Sequence, residues 1–553
     1  MKKITLISLL VFCQTIFSAS KITETEKLAA TCKVWGFLKY YHPKVAGGGV
    51  DWDKQLLEKL PEIEKAQTQE AFSLILENWI DDLGPIKEIA PIAIPKDVEY
   101  FDKNFDLSWI KSNKLFSKKL SNKLKFIENN RFLGEQFYVG TAENAGNISL
   151  KNESYKHPDF TNKNSKLRMI FMYWNLIEYF FPDKYLMGQK WDTTLEKAIP
   201  LVIQSDNQDD FYLTMKKLVS RIDDSHTEFF IYSSSKTSKI KRYFPAHGKI
   251  IDDKLVVTEI LGDSLAQADD IKIGDIVTKI NDKTIKEIIL ENRDLICASN
   301  EPKYLEKLVN TILLSNSDTV KVEFFKNGKY ITKEMTWFNY HDSHRNEFKK
   351  GAQKKPEKFK LLDHNIGYVN MGVIKPKHIP DMIAVLKSTK AIVFDMRNYP
   401  NGTFKEIAEF INPQEKKFAI YTHPDLSYPG KFKWSSGTTI GFDNKDYYKG
   451  KVIVLLNEKS QSQAEWTAMC FQTSGHTTII GSQTAGADGN VSEFDFEGFH
   501  TLFSGIGVFY PDKRETQRIG IVPDIEVKPT IQGIQEGKDE VLDRALTFIE
   551  TGK

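Results

Sequence analysis

Two short stretches carry side chains that could attack and protonate a carbonyl compound. The first runs from Val452 to Phe471, Val-Ile-Val-Leu-Leu-Asn-Glu-Lys-Ser-Gln-Ser-Gln-Ala-Glu-Trp-Thr-Ala-Met-Cys-Phe. Its apolar, β-branched opening reads as a buried strand. A small polar turn follows, and a helix is expected from about Ser462, where Ala464, Ala468 and Met469 suit tight packing. Strand, tight turn and helix can present a serine hydroxyl at the positive end of a helix. The same residues also fit plain capping boxes, Ser462 with Glu465 and Ser460 with Gln463. Local sequence therefore leaves nucleophile and cap both open. The second stretch is Ile222-Asp-Asp-Ser-His226. Its histidine titrates in the range of a general base, although a lone histidine can equally be solvated or packed in a core.

The element that must position His226 is one half of an internal repeat. Trp35, Trp52, Pro61 and Phe72 recur as Trp174, Trp191, Pro200 and Phe211, each pair 139 residues apart. Each copy reads as amphipathic helices separated by a proline-containing turn, with the aromatics as core. The copies end alike, in Ile80-Asp-Asp-Leu-Gly84 and Ile222-Asp-Asp-Ser-His226. Only the second places a serine and a histidine there, so a function has been added to, or lost from, a shared scaffold. Asp223 and Asp224 are expected to cap or bind backbone in the turn.

The element that must position Ser462 is an alternation of strands and helices from Asn365 onward. Strands are expected over Ile366–Met371, Ala391–Met396, Val452–Leu456 and Thr477–Ile480, with helices near Ile379–Leu386, after Gly402 and after Ser462. That is an α/β core. Between the two stretches, about Tyr243 to Thr336 reads as short strands and two helices, with a hairpin turn at Asn327-Gly328. Its run Ile-Lys-Ile-Gly-Asp-Ile-Val-Thr-Lys-Ile-Asn, ending at Asn281, resembles a PDZ domain, a module that captures a peptide C-terminus by strand addition.

Composition narrows the classes. The chain has 553 residues, 41% apolar and 27% charged, with a formal net charge of +2. That is soluble globular protein in several domains, and it argues against nucleic acid as a partner. Lys2-Lys3, an apolar run from Ile4 to Phe17 and small Ser18-Ala19-Ser20 read as a secretory signal, with no integral membrane segment once it is removed. Cys32, Cys297 and Cys470 form neither a disulfide framework nor a zinc site. Walker, Gly-x-Ser-x-Gly and His-Glu-x-x-His motifs are absent, so no cofactor or metal is expected. His341-Asp-Ser-His344 reads as a solvated interdomain turn.

The order of pieces, helical segment ending Asp-Asp-Ser-His, PDZ-like module, then an α/β core, resembles the tail-specific, or C-terminal processing, serine proteases. Within that core, Asp395-Met-Arg-Asn-Tyr-Pro-Asn-Gly402, Asn457-Glu-Lys-Ser-Gln-Ser-Gln-Ala-Glu465 and Gly520-Ile-Val-Pro-Asp524 carry the likeness. The resemblance covers roughly residue 165 to the end and implies a crotonase-like ββα superhelix for the catalytic core. One branch of the family uses a lysine base; Ala487 stands at that place, and no lysine occurs between Lys459 and Lys513. The other branch, which is similar to tricorn protease and interphotoreceptor retinoid-binding protein, uses a Ser-His dipeptide before the PDZ-like module. The resemblance therefore implies Ser462 as nucleophile and His226 as base, with Ser225 assisting. It implies the backbone N–H groups of Gln463 and Gly402 as the oxyanion donors. Where the histidine branch places a glutamate to orient the base, this chain has Gln517; Glu515, on the same strand face, is the alternative.

The expected organisation is a signal at 1–20, a first helical repeat at 21–90 and an irregular linking region at 91–164. A second repeat follows at 165–232, then a PDZ-like domain at 243–340 and the catalytic core at 355–553. The expected activity is that of an exported serine endopeptidase acting on peptides or unfolded protein tails, in the periplasm, on the cell surface or secreted. The rival is a non-catalytic protein of the same fold that binds peptide or an apolar ligand.

Overall fold

The structure, a computed structural model, describes residues 22–93, 95–153, 159–231, 242–261, 263–339, 356–496 and 498–553. The signal-like leader, the run Ser233-Ser-Ser-Lys-Thr-Ser238, which reads as a turn or linker, and the histidines at 341 and 344 lie outside the described residues. The architecture is mixed α/β, with a helical layer, a β-rich unit and a mainly parallel sheet.

The parallel sheet runs in the order Phe359–Leu362, Ile366–Asn370, Ala391–Asp395, Lys451–Leu456, Thr477–Gly481, Ile525–Glu526, and only the first strand is antiparallel to its neighbour. Strand Lys451–Leu456 shows why an unbroken apolar run was needed. Val452, Val454 and Leu456 face a core shared with helices Ile379–Leu386, Phe404–Ile411 and Gln463–Gln472, while Ile453 and Leu455 face the C-terminal helix Glu540–Thr551. Side chains alternate across a strand, so a strand buried on both faces has no position for a polar residue.

The helical layer holds Glu24–Tyr41, Trp52–Lys65 and Gln69–Asp82, then Lys163–Phe180, Trp191–Gln204 and Gln208–Ser220. The starting residues of the two sets differ by 139 in every case. Trp35 and Trp52 each donate the indole N–H to the other's carbonyl, at 3.4 and 3.0 Å. Trp174 and Trp191 do the same at 3.0 and 2.9 Å. Lys27 caps Ala66 O at 2.9 Å, and Lys166 reaches Ser205, the residue at the matching offset. The two 18-residue helices cross at Gly36, where a Cβ would lie 1.8 Å from Asn175 Oδ1; only glycine permits that approach.

Between Arg242 and Asn339 the chain builds its own apolar core, with Leu255, Val257, Val277, Leu308, Val322 and Phe324. Its sheet order is Lys329–Thr336, Thr319–Lys326, Ile276–Ile280, Lys254–Ile260, Ala246–Ile251. Asn327 and Gly328 turn its hairpin with φ of 50° and 75°, as a two-residue turn that follows strand twist requires.

The stretch 91–164, expected as irregular linking structure with a few strands, also holds a helix. Lys118–Asn129 is a helix, capped by Ser117 and burying Leu120, Leu124 and Ile127 at helical spacing. A hairpin of Val139–Thr141 and Ile148–Leu150 follows. Lysines and asparagines on the solvated face of that helix dilute its apolar stripe in sequence. Among the described residues no helix is long and apolar enough to cross a membrane.

Candidate active site

Ser462 sits between strand Lys451–Leu456 and helix Gln463–Gln472, as its N-cap, with φ 56° and ψ −117°. Non-glycine residues adopt such a backbone at a cost of about 1–3 kcal/mol, and only where neighbours over-determine it. The neighbours are clear. Ser462 N–H donates to Ala487 O and to Glu465 Oε2, both at 3.0 Å. Before it, Ser460 is fully buried and its hydroxyl donates to Met396 O at 2.7 Å, so Ser460 fastens the turn and does not cap the helix.

Glu465 is the hub of this turn. Its carboxylate, almost fully buried, accepts from Ser462 N–H and Ala487 N–H on one oxygen, and from Gly486 N–H and the Thr484 hydroxyl on the other. Thr484 Oγ1 in turn accepts from Ile521 N–H at 2.8 Å, and Asp524 clasps Ile479 at 2.7 Å. The Gly-x-x-Pro-Asp run therefore locks the loop 481–489 against the Ser462 turn. Burial raises the Glu465 carboxyl to about 7 against the pull of its hydrogen bonds. A folded pKa above the unfolded 4.5 makes its contribution to stability greatest below pH 4.5 and lost as pH rises through about 7. Glu465→Gln should abolish that slope in denaturant unfolding followed against pH. It should also cost roughly 2–3 kcal/mol at neutral pH, because an amide –NH2 faces two donors where an acceptor stood.

The turns that carry Gly402 and Gln463 lie side by side. Gly402 has φ 70°, and a Cβ there would lie 3.6 Å from Gln463 Nε2. Asn401 holds that turn by donating to Ile374 O at 3.1 Å and Met371 O at 3.4 Å. Gln463 opens the helix, so its N–H has no carbonyl four residues back within the helix. Ala487, at the place of the other branch's lysine, is buried with its carbonyl on Ser462.

His226 is carried in by strand pairing. Two residues after it, strand Glu228–Ile231 joins Phe499–Ser504 in antiparallel register. His226 Nδ1 lies 2.9 Å from Ser504 Oγ, and Ser504 Oγ donates to Asp224 Oδ1 at 3.0 Å. Asp224 is fully buried. Its carboxylate also accepts from Ser504 N–H at 2.7 Å, Gln517 Nε2 at 3.2 Å, the Thr227 hydroxyl at 3.2 Å and His226 N–H at 3.1 Å. Burial pulls the His226 pKa down, the Asp224 charge opposes that, and Lys307 and Lys303 add to it.

The remaining expected residues stand elsewhere in the network. Gln517 is buried but meets Asp224 rather than the imidazole. Glu515 pairs with Lys103 at 2.8 Å and the Tyr185 hydroxyl at 2.5 Å. Ser225 is buried and its hydroxyl is already committed, donating to Ala485 O at 2.8 Å and accepting from Ser299 N–H at 2.9 Å. It ties the helical layer to the neighbouring β-rich unit and to the loop that holds Ser462. Asp223, with φ 56°, accepts from Gly188 N–H at 2.7 Å and Arg518 Nη1 at 3.1 Å. Sequence reasoning missed Ser504, which is 278 residues from His226 and has no motif around it. The place of Asp224 at the centre of this hydrogen-bond cluster was concealed by its resemblance to an ordinary turn aspartate.

Residues 365–527 match the family model described as Peptidase family S41. Among solved structures, mature CPAF complexed with lactacystin is similar at 12% identity over 70% of this chain and 99% of that one, with a TM-score of 0.56. The photosystem II D1 C-terminal processing protease matches at 15% identity over 68% of this chain and 98% of its own, TM-score 0.38. The tricorn protease matches at 15% over 70% of this chain and 37% of its own, TM-score 0.35. No protein of curated function matches the sequence.

Proposed function

We propose that this chain, whose residues 365–527 match peptidase family S41, is a serine-type peptidase that cleaves peptides and unfolded protein tails with Ser462 as nucleophile and His226 as base. The observation that carries this reading is the direction of one hydrogen-bond chain. Asp224 is acceptor-only with five donors on it, so Ser504 O–H points at Asp224 and Ser504 Oγ must accept from His226 Nδ1–H. That fixes the neutral tautomer and leaves Nε2 with its lone pair free, which is what a base for a serine hydroxyl needs.

In the proposed reaction His226 Nε2 takes the Ser462 proton as Oγ attacks the scissile carbonyl. The N–H groups of Gln463 and Gly402 hold the oxyanion. The C–N bond then breaks, the imidazolium gives its proton to the leaving amine, and water repeats the sequence to release the acid and free Ser462. A fluorophosphonate should label purified protein at Ser462 alone. Labelling elsewhere, or none, would speak for a peptide-binding protein instead.

The tail preference rests on the unit at 242–339, which we read as PDZ-like. Edge strand Ala246–Ile251 and helix Glu301–Ile312 flank a groove of about 560 Å3. Its far wall is the 457–459 turn just ahead of Ser462, to which Lys249 is joined through Glu458 at 2.5 Å. A free C-terminus could add to this strand edge, where Lys249, Lys459 and Lys528 line the groove together with Glu301, Glu306 and Glu458. Amidating the C-terminus of a long peptide substrate should slow its cleavage severalfold and leave short reporters unaffected; equal rates would remove the tail preference. The Lys2-Lys3 leader, with its small residues at 18–20, supports export, which cell fractionation tests. The matched 139-residue offset of helices and tryptophan pairs supports an internal duplication, of which only the second copy has a catalytic end.

A further inference from the structure

A pocket of about 510 Å3 opens beside Ser462, and one of its walls comes from outside the S41-matching residues. That wall is the tip of hairpin Val139–Leu150, where Asn144 and Ala145 line the pocket. Resting on the peptidase reading above, we propose that this hairpin is the specificity element of the site, and that the pocket takes a large apolar side chain of the substrate residue whose carbonyl Ser462 attacks.

The tip is fixed at both ends. Its root buries Val139 and Ile148 in the helical layer's core. Near the tip, buried Asn147 donates to Val491 O at 2.8 Å, and Ser492 Oγ donates to Ile148 O at 2.8 Å. Gly146, with φ 73°, lets the turn press on strand Lys416–Pro424, since a Cβ there would come within 2.6 Å of His423 Nδ1. A loop held this way is part of the pocket's shape and not a flap.

Aromatic side chains line the same pocket, together with Asn490 and buried Asp488, whose carboxyl is pushed by burial well above the usual range. Trp466 lies one turn beyond Ser462 on the same helix, its N–H bonded to Ser462 O at 2.9 Å, and so it shares the nucleophile's face. Tyr421 stacks on it with centroids 5.6 Å apart and planes at 14°, and Phe404 meets it edge-on. Flat aromatic faces next to a nucleophile favour an apolar or aromatic occupant. Ala145, small and half-buried, is what leaves room for a large one.

The test compares kcat/KM for peptides differing only at the residue before the scissile bond: alanine, leucine, phenylalanine or lysine. Wild type should prefer phenylalanine and leucine over alanine by about tenfold or more. Ala145→Trp should erase most of that preference while Ser462 still takes the fluorophosphonate. Asn147→Ala, which unfastens the tip without filling the pocket, should flatten the same ratio. An unchanged phenylalanine-to-alanine ratio in labelled Ala145→Trp protein would overturn the inference, as would wild-type preference for lysine or alanine. A wild-type protein that neither labels at Ser462 nor cuts any peptide would overturn the peptidase reading itself, and this inference with it.

Discussion

Ser462→Ala should abolish peptide hydrolysis, by a factor on the order of 10⁶, while the protein stays folded. The alanine keeps the N–H that reaches Ala487 and Glu465, so the stability cost should not exceed the ~1 kcal/mol of a lost helix cap. Ser462→Gly makes the sharper comparison. With φ at 56° the native residue is held where a Cβ is disfavoured, by roughly 1–2 kcal/mol. Glycine should therefore be as inactive as alanine yet more stable than it by about 1 kcal/mol, read as a shift in denaturant midpoint. Two inactive variants of equal stability would mean that the turn is not strained, and residual turnover in either would remove Ser462 from the chemistry. A chain that keeps a strained serine where glycine fits better is giving up stability for the position of an oxygen.

The parts of the fold legible in sequence were those where one physical constraint acts over a short span. Strand Lys451–Leu456 is buried on both faces from Val452 onward and so is apolar over those five residues, and Asn327-Gly328 is the turn that strand twist demands. The matched tryptophans were visible because each pair repeats a whole packing unit. Helix Lys118–Asn129 was not seen, since its buried stripe is three residues wide among lysines. The Ser462 turn was legible for the same local reason: Glu465 stands three residues after Ser462. The orientation of the His226 ring was not. It depends on Ser504 and Asp224 meeting through the pairing of Glu228–Ile231 with Phe499–Ser504, and no local pattern reports a register between strands so far apart. Gln517 and Glu515 are two residues apart on one strand in sequence terms. In the fold one is buried on Asp224 and the other reaches Lys103 and Tyr185.

That placement reverses the expected order of effects around His226. His226→Ala should lose nearly as much activity as Ser462→Ala, because the two act as a unit. Asp224→Asn should lower kcat by about 10²–10⁴: an amide cannot accept all five donors, and a reversed Ser504 hydroxyl would favour the tautomer with Nε2 protonated. Activity should rise with pH through a single limb that lies below the ordinary histidine value of 6.5, since burial outweighs the Asp224 charge and Lys303 and Lys307 reinforce burial. The neutral imidazole is the active form, so the limb marks loss of its proton. Removing the Asp224 charge removes what raises that pKa, and the limb in Asp224→Asn should move to still lower pH; a merely structural defect would lower the rate and leave the limb in place. Ser504→Ala should fall between wild type and Asp224→Asn. Gln517→Glu decides the geometry. Were Gln517 the ring's partner, a carboxylate there would preserve or raise activity. Here its Nε2 donates to Asp224 at 3.2 Å, so a second carboxylate would meet the first and drive one of them to protonate; activity should drop at neutral pH and recover partly toward acid. Glu515→Gln, at the Lys103–Tyr185 contact, should be nearly silent. A Gln517→Glu enzyme faster than wild type at neutral pH, together with an unmoved limb in Asp224→Asn, would return the orienting role to position 517 and leave Asp224 as a turn residue.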